Sequence, residues 1–187
     1  MADKPSSPIF GRLALIGIGL IGSSIARVAK RENLAGHISA SARTQDSLDK
    51  AIELGFADSV SLDQKAAVKD ADMVIICAPV GAYEEIIKTI APALKPGAIV
   101  SDVGSVKQAV VRDLGPHIPE GVHLIPAHPV AGTEHSGPEA GFPELFEDRW
   151  CILTPPPGTD QKSVEALKSF WQAAGSDVEI MDPNHHD

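Results

Sequence analysis

The first candidate functional residues of the sequence are three glycines, Gly17, Gly19 and Gly22, whose spacing is typical of a dinucleotide-binding turn. An apolar run precedes them and an amphipathic stretch follows, which is the strand, turn and helix context in which Gly-x-Gly-x-x-Gly binds a pyrophosphate. Gly17 would permit the tight turn, Gly19 would admit the phosphates, and Gly22 would let helix and strand pack closely. The N–H groups of the first helical turn, at Leu20 and Ile21, are expected to face the anion. We therefore predict a nicotinamide dinucleotide site, with a plain turn as the alternative.

The end of the next predicted strand bears on which dinucleotide is bound. Where an NAD enzyme usually has an Asp or Glu for the ribose 2′-hydroxyl, the sequence has Ser41, Arg43 and Thr44. Hydroxyl side chains with an arginine suit a 2′-phosphate, because a guanidinium pairs bidentately with phosphate and no carboxylate repels it. We therefore prefer NADP as the cofactor. In the alternative, Arg43 is a solvated loop residue, Asp46 turns inward, and NAD is bound.

Further candidates follow other predicted strands. Pro79 and Val80 end the third strand, where backbone contacts along the cofactor are expected, although a simple strand terminus is the alternative. Ser105 and His128 follow the next two strands, so parallel pairing would bring both to the same crevice. A hydroxyl and an imidazole suit alcohol oxidation, because a histidine pKa of about 6.5 is suited to general-base catalysis near neutral pH. A capping or core role is the alternative for His128.

Short apolar runs alternate with longer amphipathic stretches between these residues. The apolar runs predict strands over 13–17, 37–42, 73–79, 98–103, 122–127, 150–154 and 177–181, and helical spacing predicts helices over 20–33, 45–55, 82–94, 107–114 and 161–174. Most runs are apolar on both faces, which is typical of a parallel sheet covered by helices. We predict an open, doubly wound, mostly parallel α/β sheet of the Rossmann type over 11–181, after an N-terminal tail over 1–10.

Length and composition exclude several classes of protein. The 187 residues, 43% of them hydrophobic, suffice for about one globular domain, and a formal net charge of −9 argues against a nucleic-acid partner. Cys77 and Cys151 form no C-x-x-C pattern, so we expect reduced, buried thiols. No zinc template is present, so we predict no metal. No apolar run approaches ~18 residues and no targeting signal is evident, so we expect a cytoplasmic protein without a membrane partner.

Four segments together resemble a known family. They are GLIGSS at 19–24, DVGSVK at 102–107, HPVAGTEHSGPEAG at 128–141 and MDPNHHD at 181–187. Through them the chain, from Arg12 onward, is similar to the nucleotide-binding half of the prephenate and arogenate dehydrogenases, the cyclohexadienyl dehydrogenases of tyrosine biosynthesis. The second and third segments are the most specific.

The resemblance implies an NAD(P)-dependent oxidative decarboxylation of a small molecule, prephenate or arogenate. Hydride would leave the ring carbon that bears the hydroxyl, carbon dioxide would depart, and a 4-hydroxyphenyl product would form. His128 would accept the hydroxyl proton, Ser105 would orient the hydroxyl or His128, and Glu134 would gate or orient at the mouth of the substrate site. Family members continue into a helical domain that dimerises and binds the substrate carboxylates. We therefore expect 182–187 to begin the connection to that domain, absent from this chain, and a homodimer formed through it.

Two other functions stay open. A β-hydroxyacid dehydrogenase would share the fold and the glycine turn, but it takes its lysine base from a helical domain and needs no base on the sheet. The segment HPVAGTE at 128–134 therefore favours the first function. A non-catalytic module that senses nicotinamide dinucleotides would bind the cofactor without turnover.

Overall fold

Six parallel strands form the larger of two sheets in the computed structural model, which describes residues 6–187. Residues 1–5 of the predicted tail lie outside the described residues, whereas its last residue, Phe10, already belongs to the first strand. The six strands are β1 (Phe10–Ile16), β2 (Ala35–Ser41), β3 (Ser59–Ser61), β4 (Met73–Ile76), β5 (Ile99–Asp102) and β6 (His123–Leu124). Their spatial order is β3-β2-β1-β4-β5-β6, and every neighbouring pair is parallel, which confirms the doubly wound sheet.

Helices cover both faces of this sheet. They are α1 (Leu20–Arg31), α2 (Gln45–Glu53), α3 (Gln64–Val68), α4 (Tyr83–Ile90), α5 (Lys107–Leu114), α6 (Gln161–Ala173) and α7 (Pro183–His186). Within β1, Leu13 and Leu15 belong to the apolar core of one face, whereas Ala14 and Ile16 belong to the core of the other. A strand buried on both faces has no polar alternation, which explains the continuously apolar run in the sequence.

A second sheet of three strands corrects the sequence prediction. It consists of β7 (Ala127–Pro129), β8 (Trp150–Leu153) and β9 (Asp177–Ile180), with β7 antiparallel to β8 and β8 parallel to β9. The single strand predicted over 122–127 is therefore wrong, because it divides into β6 and β7. Of the last two predicted strands, β8 pairs with β7 and β9 pairs with β8. Pro126, at the division, has no N–H, and the next amide, that of Ala127, donates to the Asp102 carboxylate at 3.1 Å instead of to a strand.

Three short elements, β3, α3 and α7, were not predicted from the sequence. The strand β3 has three half-buried residues and α3 has only five, too few for a clear periodicity. Both α3 and α7 nevertheless begin at a capping aspartate: Asp63 accepts a hydrogen bond from the amide of Lys65, and Asp182 accepts one from the amide of Asn184. The capping signals are thus present in the sequence, and only the following apolar pattern is missing.

Candidate active site

The turn between β1 and α1 requires glycine at two of its three fingerprint positions. Gly17 has a φ of +99°, and a Cβ there would lie 2.7 Å from the carbonyl oxygen of Cys77. A Cβ on Gly22 would overlap the carbonyl oxygen of Gly17. These two glycines therefore let the turn close and α1 approach the sheet, as their spacing predicts.

Gly19 differs from its two partners because a Cβ there would meet nothing within 4 Å. It is the N-cap of α1, and no side chain caps that helix. The hydroxyls of Ser23 and Ser24 donate to the carbonyls of Gly19 and Leu20, each at 2.7 Å, so they do not occupy the helix amides. An uncapped helix start beside open space has the geometry for a pyrophosphate.

A cleft of about 430 Å³ opens at this turn. Six of the predicted cofactor-binding residues line it: Gly17, Gly19, Ser41, Arg43, Thr44 and Pro79. The other four, Leu20, Ile21, Gly22 and Val80, do not line it. Its described lining contains Arg43 as the one charged residue and neither Asp nor Glu. The cleft therefore has the size and charge for part of an anionic dinucleotide.

The far end of the cleft holds the side chains that bear on a 2′-phosphate. Ser41 is 1% exposed, and its hydroxyl has no hydrogen-bond partner among the described residues, so this buried polar atom fits a ligand oxygen. Thr44 caps α2 by accepting from the amide of Ser47 at 3.3 Å. Asp46 is exposed and does not line the cleft. The position of Asp46 therefore disfavours the alternative in which its carboxylate binds the ribose.

Gly137 and Pro138 line the cleft although the sequence prediction missed them. They belong to the Gly- and Pro-rich segment that follows β7, which is held against α1 by long-range hydrogen bonds. Arg27 donates to the carbonyl of Pro138 at 3.0 Å, and the amide of Phe142 donates to the hydroxyl of Ser24 at 3.1 Å. The segment therefore forms one wall of the cleft, and its composition was the available sequence signal.

His128 lies within β7 and lines a second cavity, of about 390 Å³, together with Gly132 and Arg149. Its Nδ1 atom is 2.9 Å from Nε2 of His186 in α7. Burial lowers the pKa of His128, and nearby His186 and Lys107 act in the same direction, against a smaller opposite effect of Asp187. The lowered pKa favours the neutral imidazole, which is the form that can accept a proton.

A buried ion pair anchors the residue before His128. Asp102 at the end of β5 and Lys107 at the start of α5 are both fully buried, with an N···O distance of 2.7 Å. The Lys107 ammonium also donates to the carbonyl of Ala127 at 2.7 Å, and the amide of Ala127 donates to Asp102 at 3.1 Å. Both backbone groups of Ala127 are thus fixed by one ion pair, which joins β7 to the larger sheet.

Ser105 and Glu134 are not brought into contact with His128. Ser105 is exposed between β5 and α5, and no hydrogen bond joins it to His128 among the described residues. The Glu134 side chain is 84% exposed, with its carboxylate 3.5 Å from Nε2 of His135. Neither residue lines either of these cavities, so their predicted roles stay predictions.

Cys77 and Cys151 are both free thiols, but only Cys151 is buried; Cys77 is half-buried, which corrects the expectation for that residue. Burial raises the pKa of each thiol far above its usual value, so neither is a reactive thiolate. Across residues 6–187, no group of three or more His, Cys, Asp or Glu side chains could hold a metal ion. No helix in that same range is both long and apolar enough to cross a lipid bilayer.

The parallel sheet, the glycine turn and the uncapped helix start together define a dinucleotide-binding domain of the Rossmann type. A family model described as the prephenate dehydrogenase nucleotide-binding domain matches residues 25–180. The chain belongs to this family.

Individual relatives agree with the family assignment. The chain is 39% identical over 179 residues to the cyclohexadienyl dehydrogenase of Zymomonas mobilis. The matched region covers 96% of this chain and 61% of that protein. The crystal structure of a prephenate dehydrogenase from A. aeolicus, in complex with hydroxyphenyl propionate and NAD⁺, superposes with a TM-score of 0.86 at 32% identity over 94% of this chain and 61% of that one. The arogenate dehydrogenase of Synechocystis gives a TM-score of 0.87 at 28% identity, with coverages of 94% and 61%. The chain thus spans less than two thirds of the length of these relatives.

Proposed function

We propose that this chain supplies the nicotinamide-binding site and the general base of a dehydrogenase that oxidatively decarboxylates prephenate, arogenate or both. The observation that carries the proposal is His128, a half-buried imidazole with a lowered pKa that lines a cavity of about 390 Å³. The family of the chain and the names of its relatives supply the reaction class.

Each proposed residue has one task in this reaction. A bound nicotinamide would supply the hydride acceptor for the ring carbon that carries the substrate hydroxyl. His128 accepts the hydroxyl proton as that carbon becomes a carbonyl. Loss of carbon dioxide returns the electron pair of the broken bond to the ring, and the phenolate oxygen takes back one proton. Ser105 would orient the hydroxyl or His128, and Glu134 would act at the mouth of the substrate site.

We further propose NADP as the preferred cofactor. The buried, unpartnered hydroxyl of Ser41 and the guanidinium of Arg43 would bind the 2′-phosphate, with Thr44 capping the helix beside it. A carboxylate would repel that phosphate, and none lies among the described lining residues of the cleft.

The proposal extends to the assembly and the compartment. We propose a cytoplasmic enzyme that forms a homodimer through a helical domain, on the basis of the family resemblance. Size-exclusion chromatography with light scattering, applied to the polypeptide of the intact reading frame, tests the dimer.

Turnover of prephenate and arogenate, each with NADP and with NAD, tests the proposed reaction. The assay follows absorbance of the reduced cofactor and uses the polypeptide of the intact reading frame. His128→Asn should lower kcat by roughly 10²–10⁴-fold, because a positioned general base contributes about that factor. His117→Asn, at a half-buried histidine between α5 and β6 that lines neither cavity, is the control and should leave kcat unchanged.

Other outcomes would overturn parts of the proposal. Turnover that survives His128→Asn would exclude His128 as the base. Tight nucleotide binding without turnover of either substrate would instead support the non-catalytic binding module.

A further inference from the structure

Asp187 is bound at the start of a helix that is distant in sequence. Its carboxylate accepts hydrogen bonds from the amides of Lys107 and Gln108 at 2.8 and 2.9 Å. The residue at the N-cap of α5, Val106, has no side-chain acceptor, so Asp187 supplies the cap that α5 lacks. These bonds and that from His186 outweigh the effect of burial and lower the pKa of Asp187 to about 2. Asp187 is therefore ionised near neutral pH.

The ionised carboxylate fixes the proton on His186. Nδ1 of His186 is 2.7 Å from Oδ1 of Asp187. Because a carboxylate can only accept, the Nδ1 atom of His186 carries a hydrogen. In the neutral imidazole the other nitrogen, Nε2, then has a lone pair and is an acceptor.

The same reasoning fixes the proton on His128. Nε2 of His186 is 2.9 Å from Nδ1 of His128, and an acceptor on one side requires a donor on the other. With His186 neutral, His128 carries its hydrogen on Nδ1. Its Nε2 atom keeps the lone pair, and no described side chain hydrogen-bonds to it. Nε2 is thus the nitrogen left to accept a substrate proton.

We propose that His186 and Asp187 are positioning residues that hold His128 in the Nδ1–H tautomer and orient its ring for proton abstraction by Nε2. This inference rests on the proposed function in that it takes His128 as the base. Neither residue needs to touch the substrate. When His128 becomes positively charged, its Nδ1–H remains bonded to His186, and the carboxylate of Asp187 lies one ring further along. The arrangement is an Asp-His-His series in which α7 carries His186 and the residue that follows α7 is Asp187.

Tautomer measurement tests this inference independently of turnover. In protein labelled with ¹⁵N-histidine, the long-range ¹H–¹⁵N spectrum above pH 8 should show His128 with a protonated Nδ1 and an unprotonated Nε2. His186→Leu removes the acceptor, so the Nε2–H tautomer of His128 should become populated. His186→Gln places an amide oxygen near the position of the lost nitrogen, so it should restore the Nδ1–H tautomer. His185→Leu, at an exposed position in the same helix, is the control and should change nothing.

Kinetics of the same variants provide a second readout. His186→Leu should lower kcat by roughly 10–100-fold, which is a typical effect of losing a residue that orients a functional imidazole. The Kd of the cofactor should not change, and His186→Gln should recover most of the kcat. A loss of kcat that glutamine does not rescue, with an unchanged tautomer of His128, would overturn the inference.

The outcomes separate this inference from the proposed function. If His128→Asn keeps full turnover while His186→Leu still shifts the tautomer, the proposed base is wrong and the hydrogen-bonded series is right. If His128→Asn abolishes turnover and the tautomer is indifferent to His186, the base is right and the positioning role is wrong.

Discussion

The dinucleotide cleft and the surroundings of His128 are built in opposite ways. The turn at the cleft uses glycines within one short segment, and its geometry follows from backbone contacts between β1, α1 and Cys77. The surroundings of His128 combine three segments that are distant in sequence. His186 is 58 positions from His128, and Asp187 binds the amide of Lys107, 80 positions from Asp187. The glycine turn can therefore be recognised within one short segment, whereas the surroundings of His128 form only after the two sheets have packed together.

This difference in construction determines which substitutions each of the two regions tolerates. At the glycine turn, we expect the backbone to supply the contacts to a dinucleotide, so these positions require only a small side chain or none. Around His128, each side chain has a specific partner, and the loss of one partner leaves another unsatisfied. We therefore expect substitutions around His128 to affect folding, tautomer and catalysis together, and substitutions in the cleft to affect mainly nucleotide binding.

Removal of the buried cation should have the largest effect. Lys107→Met leaves the Asp102 carboxylate, which is fully buried, without its counter-charge and releases the carbonyl of Ala127. We expect the free energy of unfolding to fall by about 3–5 kcal/mol, the usual cost of breaking a buried ion pair on one side. Denaturant unfolding measures it. Lys30→Met, which removes a partly exposed partner of Asp58, is the control and should cost less than about 1 kcal/mol.

The double variant Lys107→Met/Asp102→Asn sharpens this prediction. It removes both charges and keeps an acceptor oxygen for the amide of Ala127, so it should be more stable than Lys107→Met alone. Equal stability of the two variants would show that the stranded carboxylate is not the source of the loss.

Removal of the guanidinium from the cleft should affect binding but not folding. Arg43→Ala should weaken NADP binding by about 1.5–3 kcal/mol, because hydrogen bonds to a charged group contribute roughly that amount. The Kd of NAD should stay the same, since NAD has no 2′-phosphate. Fluorescence titration with the reduced cofactors measures both values, and Arg112→Ala, at an exposed position of α5, is the control. An equal loss for NADP and NAD would contradict the proposed phosphate contact.

Two glycines of the same turn should respond differently to alanine. Gly22→Ala places a methyl group against the carbonyl of Gly17, so the free energy of unfolding should fall by about 1–3 kcal/mol, as for other overpacked sites. Gly19→Ala meets open space, so it should change the stability by less than about 1 kcal/mol while it raises the Kd of the dinucleotide. Chemical unfolding and cofactor titration on both variants make the comparison. A stable Gly22→Ala would show that α1 can move away from the sheet.

Local signals explain which parts could be predicted from the sequence. Gly17 and Gly22 were predictable because turn geometry depends on neighbouring residues, and the apolar runs of β1 and β4 predicted a sheet buried on both faces. The second sheet was not predictable in the same way, because β7 has three residues and its first amide binds a side chain, that of Asp102. Nothing in the sequence marks this carboxylate as buried, since aspartate is usually exposed.

The series around His128 shows the same limit. His128 could be selected from the family resemblance, and MDPNHHD at 181–187 was noted as part of it. The pairing of His186 with His128 depends on how α7 packs against α5 and β7, and no spacing in the sequence encodes that contact. Capping of α5 by Asp187 could not be predicted either, because helix capping residues normally lie next to the helix in the sequence.

The partly exposed ion pair between Asp72 and Lys95 contrasts with the buried pair of Asp102 and Lys107, and its removal should have the smallest effect on stability. Asp72 lies 2.5 Å from Lys95, with both side chains more than a third exposed. Burial alone would raise the pKa of Asp72, but hydrogen bonds from Lys95 and from the amide of Arg12 outweigh it and lower the pKa below 3.8. A lowered carboxyl pKa stabilises the folded state above pH 3.8 and loses that contribution as the pH falls further.

Asp72→Asn should therefore reduce the free energy of unfolding at pH 7 by less than about 1 kcal/mol, because solvent screens the pair. The difference between variant and parent should shrink as the pH is lowered toward the folded-state pKa of Asp72. Urea unfolding across this pH range measures both quantities. A loss as large as that of Lys107→Met would mean that burial does not distinguish the two ion pairs, because the exposed pair would then contribute as much as the buried one.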